Sequence, residues 1–437
     1  MTYTTIEDPI AGSIKYKKIG DLTADELTGA VVEDRIVTNQ VDPTTNELIK
    51  ISHYDLFDEG TNTAAPLSES KRAANGIDLY KVKYVIKNKG EADVVTGLLA
   101  VPVGIDAKNL PMLSWQHGTT FPANESPTGI MKNDQLQVRP PGSVLEGQIR
   151  SAETLFNLAR FAGNGYAVAA ADYNGLGDSK TLQYYAIDKP TTKATAGMIA
   201  ASNVILGKLG LETTELFLNG WSQGAVNTLF LERSLQNEGI SIAKTAHAST
   251  FSSLVASVQY WVNDFEGQPY WLTTCIPMVL GSYQEYYNIE GLMASAVKQK
   301  YLRTAERIYE EKVDWDQVPG PEHAGQGLLG LPLTGKKMLK KEFRNDIREG
   351  RGEFFRRVVQ NDPLTEVFTH PSRFFGGGQD TAIPPDYSVE KPVEFLGPLA
   401  SGVSVGDQAT HRSTFLGSLY GSAGNPQEDI FTWFADL

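Results

Sequence analysis

Cysteine is almost missing from this sequence. Cys275 is the only one in 437 residues, so the chain can close no disulfide within itself and can build no zinc–thiolate cluster. In its apolar setting, TTCIPMVL, it reads as an inert core side chain. Basic charge is scarce too. Lys and Arg number 39 against 52 Asp and Glu, a formal net charge of -13, and the pI is near 5.1. That balance argues against nucleic acid, whose phosphates need a basic surface, and against adhesion to anionic membranes. No run approaches the ~20 apolar residues of a bilayer-crossing helix, so no stable membrane insertion is expected. The opening residues, MTYTTIEDPIAGS, lack the basic and apolar regions of a signal peptide. Two readings stay open there: a cytoplasmic protein, or a mature form with a new initiator Met. There is no internal repeat and no G-x-G-x-x-G phosphate cradle. ADYNGLGDS at 171–179 carries Gly175 and Gly177, but no helix pattern starts there. It reads as a turn lining a pocket, with Tyr173 in it.

What is present is ordinary globular composition, 41% apolar and 21% charged. The length suits one large domain with insertions, or two domains. Residues 1–75 are polar and turn-rich, with a short helix in DLTADELTGA capped by Asp21 or Thr23. They read as an N-terminal extension packed on the core. LYKVKYVIKNKGEADVVTGLLAVPV alternates on either side of NKGEAD, the signature of a β-hairpin. Strands and helices then take turns. PMLSWQHG, YAVAAADY and TELFLNG are strands. SAETLFNLARFAGNG (with Ser151 and Glu153 near its start), TKATAGMIAASNVILGKLG and QGAVNTLFLERSLQNEG are helices. This βαβ rhythm predicts an α/β fold, a mostly parallel sheet with helices on both faces. Residues 76–251 form its first part. The rhythm breaks over 252–365, which is aromatic, charged and helical in pattern, and resumes over 366–437. The interruption is expected to be a helical lid. Its aromatics Tyr260, Trp261, Phe265, Tyr270 and Trp271 suggest an apolar or aromatic substrate pocket.

The chemistry centres on GWSQG, residues 220–224. A strand that turns into a helix within a few residues brings backbones very close, and the flanking Gly220 and Gly224 leave room for that. Ser222 would then stand at a helix N-terminus, where the dipole favours developing negative charge. The Gln223 N–H would face the same place. A serine hydroxyl needs a base, and the base needs an orienting carboxylate. Of six histidines (53, 117, 247, 323, 370, 411), only His411 lies near the C-terminus in a strand-to-helix loop, SVGDQATHRSTF. The acid should precede it after another strand. Asp380 in RFFGGGQDTAIPP fits, with Asp407 as the alternative and Asp386 and Asp362 behind it. A second oxyanion donor is expected from LSWQHGTTFP, as a backbone N–H of Gly118 or Thr119. There His117 shapes the loop rather than serving as base. His117, Tyr173, Trp221 and Trp261 are candidate pocket residues.

Together these pieces resemble the α/β-hydrolase superfamily over roughly residues 78–251 and 366–437. WQHGT, DYNGLGDS, GWSQGA and GGGQDTAIP followed by a late His are similar to the secretory lipase and esterase group, the yeast A-type lipases and bacterial cell-wall-associated esterases. The resemblance implies Ser222, Asp380 and His411 as a catalytic triad, with Gln223 and the HGT loop as oxyanion hole. It implies a carboxylic ester hydrolase that forms an acyl-enzyme, needs no metal or cofactor, acts on a small-molecule or polymer ester, and is exported. The cysteines that yeast members use for disulfides are missing here. A serine peptidase or amidase on the same fold is the alternative, although no acidic pair that would grip a substrate amine is evident. A non-catalytic binding protein on this scaffold would usually lose a triad member.

Overall fold

The computed structural model describes residues 2–8, 11–106, 108–263, 269, 271–310, 313 and 330–436. Ten strands form its main sheet: β1 (Thr4–Asp8), β2 (Gly12–Leu22), β3 (Gly76–Asn88), β4 (Glu91–Val103), β5 (Asn109–Gln116), β6 (Ala167–Ala171), β7 (Glu212–Trp221), β8 (Lys244–Ala248), β9 (Ser372–Gly376) and β10 (Ala400–Ser404). Their spatial order is β1-β2-β3-β4-β6-β5-β7-β8-β9-β10. The pairs from β1 to β6 along this order are antiparallel, and those from β6 to β10 are parallel. The strand reversal puts β5 at the middle, beside both β6 and β7. Ligands in open α/β sheets bind beyond the carboxyl ends of strands near such a switch point.

The helices follow from the expected apolar stripes. α1 (Ala24–Val32) begins at Thr23, whose side chain and Glu26 form a reciprocal capping box. α2 (His53–Asp58) follows. α3 (Ala152–Arg160), α4 (Asp188–Lys208) and α5 (Gln223–Asn237) are the crossover helices. α4 starts earlier than its apolar pattern suggests, because Pro190 sits in the first turn, where a missing N–H costs nothing. Both sheet faces are covered. α1, α3 and the late helices α14 (His411–Tyr420) and α15 (Ile430–Ala435) share one apolar cluster with the sheet. α4 and part of α5 share another on the opposite face. Within β3, Ile77 and Leu79 face the first cluster, while Val82, Tyr84 and Ile86 face the second. The change of parity between 79 and 82 is the side-chain period of 2 at work.

The N-terminal 75 residues do more than coat the core. β1 and β2 extend the sheet edge. Phe57 of α2 packs edge-on against Phe156, with ring centroids 4.9 Å apart. Lys71 reaches Asp429 at 3.5 Å, and Arg160 reaches the same carboxylate at 3.2 Å. Asp429 is fully buried, so the two cations supply the charge balance that a buried carboxylate requires. A buried cluster of one carboxylate and two imidazoles lies at β8. Glu232 of α5 is 3.1 Å from His247 Nε2 and 3.5 Å from His370 Nε2. Burial pushes its carboxyl up, but the two imidazoles outweigh this and hold it at about 2.

Between β8 and β9 the described chain forms α6 (Leu254–Val262), α7 (Leu272–Tyr287), α8 (Leu292–Ala296), α9 (Gln299–Tyr309), α10 (Gly335–Met338), α11 (Lys341–Arg348) and α12 (Gly352–Gln360). They have their own apolar cluster, joined to the core through Phe121, Val226 and Phe230. The charged stretch after residue 335 reads as one helical run but forms three short helices. Lys340 is extended, and Gly350 and Gly352 take φ of 68° and 88°, which end a right-handed helix. α13 (Lys391–Leu396) completes the crossover to β10. Among the described residues no helix is long and apolar enough to cross a membrane.

Candidate active site

Ser222 sits between β7 and α5, at φ 57° and ψ -121°. A non-glycine residue pays for such a backbone conformation with about 1–3 kcal/mol of strain, and such strain concentrates at functional positions. What enforces it is contact. A Cβ on Gly220 would lie 2.3 Å from Gly224 O, and one on Gly224 would lie 1.8 Å from Gln116 O. Only glycines let the turn close against the end of β5. The Ser222 N–H donates to Ala248 O at 3.0 Å, which ties the turn to β8. Gln223 opens α5, and its N–H has no protein partner among the described residues.

Asp380 and His411 meet. His411 Nδ1–H donates to Asp380 Oδ2 at 2.8 Å. The other carboxylate oxygen accepts from the N–H groups of Ala382 (3.1 Å) and Ile383 (3.0 Å). Asp380 is 2% exposed, so its charge is held by three donors in a dry setting. Backbone bonds zip the acid loop to the histidine loop: Gly378 N to Gly406 O at 3.0 Å and Gln379 N to Ala409 O at 2.8 Å. Gly377 allows this approach, since a Cβ there would stand 2.1 Å from Thr414 Oγ1. Asp407, the alternative acid, is exposed. Asp362 accepts from Leu254 N and Ser253 Oγ at the start of α6, and Asp386 opens a short helical turn.

Two indoles flank the histidine. Trp221 lies with its ring 5.0 Å from that of His411, and its Nε1–H donates to His411 O at 3.1 Å. Trp271, from the helices between β8 and β9, lies 5.1 Å away. Trp261 is elsewhere: it is buried in the apolar cluster of the inserted helices, edge-on to Phe251. Phe265, Tyr270 and His323 lie outside the described residues. Tyr260 Oη donates to Thr381 O at 2.8 Å, joining α6 to the Asp380 loop.

The 117–120 loop follows β5. His117 is buried, stacked on Tyr173 at 4.1 Å, and its Nδ1 is 2.7 Å from Gly118 O. Burial pushes its pKa down, which suits a neutral ring donating from Nδ1. One expectation needs correction. The Gly118 N–H is not free to meet an oxyanion, because it donates to Glu153 Oε2 at 2.7 Å. Thr119 N–H has no protein partner among the described residues. Glu153 carries the usual signature of an acidic residue in a helix first turn, which is why its sequence position does not reveal this contact. Burial raises its carboxyl to about 7, against the lowering effect of Gly118 N–H and Arg412. Cys275 is buried, its thiol pushed up to about 12.

No protein-family profile matches the sequence, and no curated protein matches it. Solved structures do. The chain is similar to a Legionella pneumophila protein named as a hydrolase, at TM-score 0.70 and 17% identity, over 96% of this chain and 97% of that one. These likenesses define the class: the chain has the α/β-hydrolase fold. Within that class it resembles the rice cell wall degrading esterase LipA from Xanthomonas oryzae, at TM-score 0.66 and 15% identity over 96% of both chains. It also resembles Candida antarctica lipase A in its closed state, at TM-score 0.55 and 12% identity over 88% and 78%. Structures named as a hydrolase, an esterase and a lipase are thus among those that share its fold.

Proposed function

We propose that this protein is a serine hydrolase that cleaves carboxylic esters through an acyl-enzyme. The observation that carries this reading is the half-buried Asp380–His411 hydrogen bond at the sheet end that holds Ser222 in its strained turn. Ser222 Oγ attacks the ester carbonyl carbon, and His411 Nε2 takes the hydroxyl proton. Asp380 fixes the imidazole tautomer through Nδ1–H and stabilises the cation that forms. The carbonyl oxygen becomes an oxyanion, held by the Gln223 N–H at the start of α5 and by a loop N–H at Thr119. Loss of one such donor typically costs about 10²–10³ in rate. The alcohol leaves with the proton from His411. Water, deprotonated by His411, then attacks the acyl-enzyme and releases the acid and free Ser222. Names of esterases and lipases among the structural neighbours support this choice over amide chemistry.

The test is labelling with a fluorophosphonate and turnover of p-nitrophenyl esters from acetate to palmitate, for wild type and Ser222→Ala. Labelling and turnover that vanish in the variant are expected. A folded wild type that neither labels nor turns over any ester refutes the proposal. The chain-length profile separates an esterase from a lipase.

A further inference from the structure

Gly118 belongs to two peptide groups, and three of their four polar ends are held. In the first peptide, His117 O accepts from Tyr173 Oη at 3.1 Å, and the Gly118 N–H donates to Glu153 Oε2 at 2.7 Å. In the second, Gly118 O accepts from His117 Nδ1 at 2.7 Å. The fourth end is the Thr119 N–H. A trans peptide points its C=O and N–H in opposite directions, so pinning Gly118 O fixes where the Thr119 N–H points. The Thr119 hydroxyl is itself tied to Tyr185 Oη at 2.7 Å.

The other pins are secured in turn. His117 is stacked on Tyr173, the residue after Asp172. The Asp172 carboxylate accepts from Thr96 Oγ1 and from both N–H and Oγ1 of Thr128. Glu153 differs. Among the described residues its carboxylate takes a single hydrogen bond, the one from Gly118. It also forms one wall of the loop. A Cβ on Gly118 would lie 3.0 Å from Glu153 Oε2 and 3.0 Å from Trp221 Cε3. The loop is therefore clamped between this carboxylate and the indole that packs on His411.

Resting on the serine-hydrolase reading, we infer that Glu153 is a positioning residue of the oxyanion hole. It draws the Gly118 N–H away from the reacting carbonyl and sets the loop so that Thr119 N–H is the donor. Glu153 touches no reacting atom; it acts through the loop. Its charged neighbours are Arg412 from α14 and Glu125 from the turn after the loop. Glu125 is itself neutralised by Arg139 (3.1 Å) and Arg150 (2.9 Å). Both protonation states of Glu153 keep an oxygen that can accept from Gly118, and so does a glutamine.

The experiment compares Glu153→Ala, Glu153→Asp and Glu153→Gln in the full chain, on p-nitrophenyl butyrate. Affinity for an arylboronic acid, which forms a tetrahedral adduct on the nucleophile, is measured alongside. Since about 1 Å of misplacement costs about 100-fold, E153A and E153D should lose about tenfold to 100-fold in kcat. KM should stay within about twofold, and boronate affinity should fall by the same factor as kcat. E153Q should recover most of the loss. If E153A does not fold, E153D decides the matter, because it withdraws the carboxylate by one methylene and keeps its charge. Unchanged kcat in the folded Ala or Asp variant overturns the inference, and so does a rise in KM alone. Wild type and S222A are assayed first. A wild type inert to probe and esters overturns the serine-hydrolase reading and this inference with it. An active wild type beside an unaffected E153A overturns only the role of Glu153.

Discussion

Gly224→Ala isolates the close approach on which the Ser222 turn depends. Gly224 does not adopt a positive φ, so alanine meets no backbone penalty there and the effect is one of contact alone. Its Cβ would stand 1.8 Å from Gln116 O, 2.5 Å from Gln116 C and 2.7 Å from His117 O. Ordinary contact begins at 3.4 Å, so α5 and the end of β5 must separate by roughly 1.5 Å in a close-packed interior that has no slack to give. All three atoms are backbone and none can rotate away. Overpacking of this kind costs about 1–3 kcal/mol, occasionally more. The displaced segment carries the 117–120 loop of the proposed oxyanion hole, so kcat should fall by about 100-fold or more. Gly207→Ala provides the control: it lies in α4, has nothing within 4 Å of its Cβ, and should stabilise by about 0.5–1 kcal/mol. The assay is Tm by differential scanning fluorimetry together with kcat on p-nitrophenyl butyrate. A G224A protein with wild-type Tm and wild-type kcat would refute the packing argument.

Asp380→Asn keeps the shape of the acid loop but lets the imidazole take the wrong tautomer. Its kcat should drop by about 10⁴ with KM little changed, and steady-state kinetics at pH 7 checks this. Glu232 makes a statement about stability. Its carboxyl is held at about 2, below the ordinary 4.5, so the folded state binds fewer protons than the unfolded one between those values. The stabilisation is complete above pH 4.5 and is lost as pH falls towards 2. Glu232→Gln should therefore be less stable than wild type at pH 7, and the gap should narrow as pH falls below 4.5. Urea melts at pH 7, 5, 4 and 3 test it; a gap independent of pH would sink the argument.

Much of the sheet was legible because its strands are buried on both faces and read as short apolar runs between turn residues. Ala167–Ala171 is the plainest case. The Ser222 turn was legible because tight strand-to-helix closure demands glycine at fixed offsets, and Gly220 and Gly224 stand there. The Asp380–His411 contact was reachable from chain order alone. Other features had no local mark. The strands at Thr4–Asp8 and Gly12–Leu22 are half exposed and polar at the sheet edge, so their composition resembles loop. The Gly118 donor was misassigned because the group that captures it, Glu153, comes from a helix 35 residues on. Its position already has an ordinary explanation in the helix dipole. Trp271 could be named as a lid aromatic, but only the tertiary structure places its ring against His411.

β8 and β9 are neighbours in the sheet, yet residues 249–371 lie between them in sequence. A parallel pair needs a crossover of only a dozen or so residues, and a single helix such as α12 would span it. The inserted helices are thus surplus to threading. Loop-closure entropy grows slowly, by about 0.6 kcal/mol for each doubling in length. This junction can therefore admit caps of very different size at little cost to the core. Ancestry and ligand preference can then drift apart in such a chain: one sheet scaffold can be refitted at a single splice point, with its strands and tight turn left as they were.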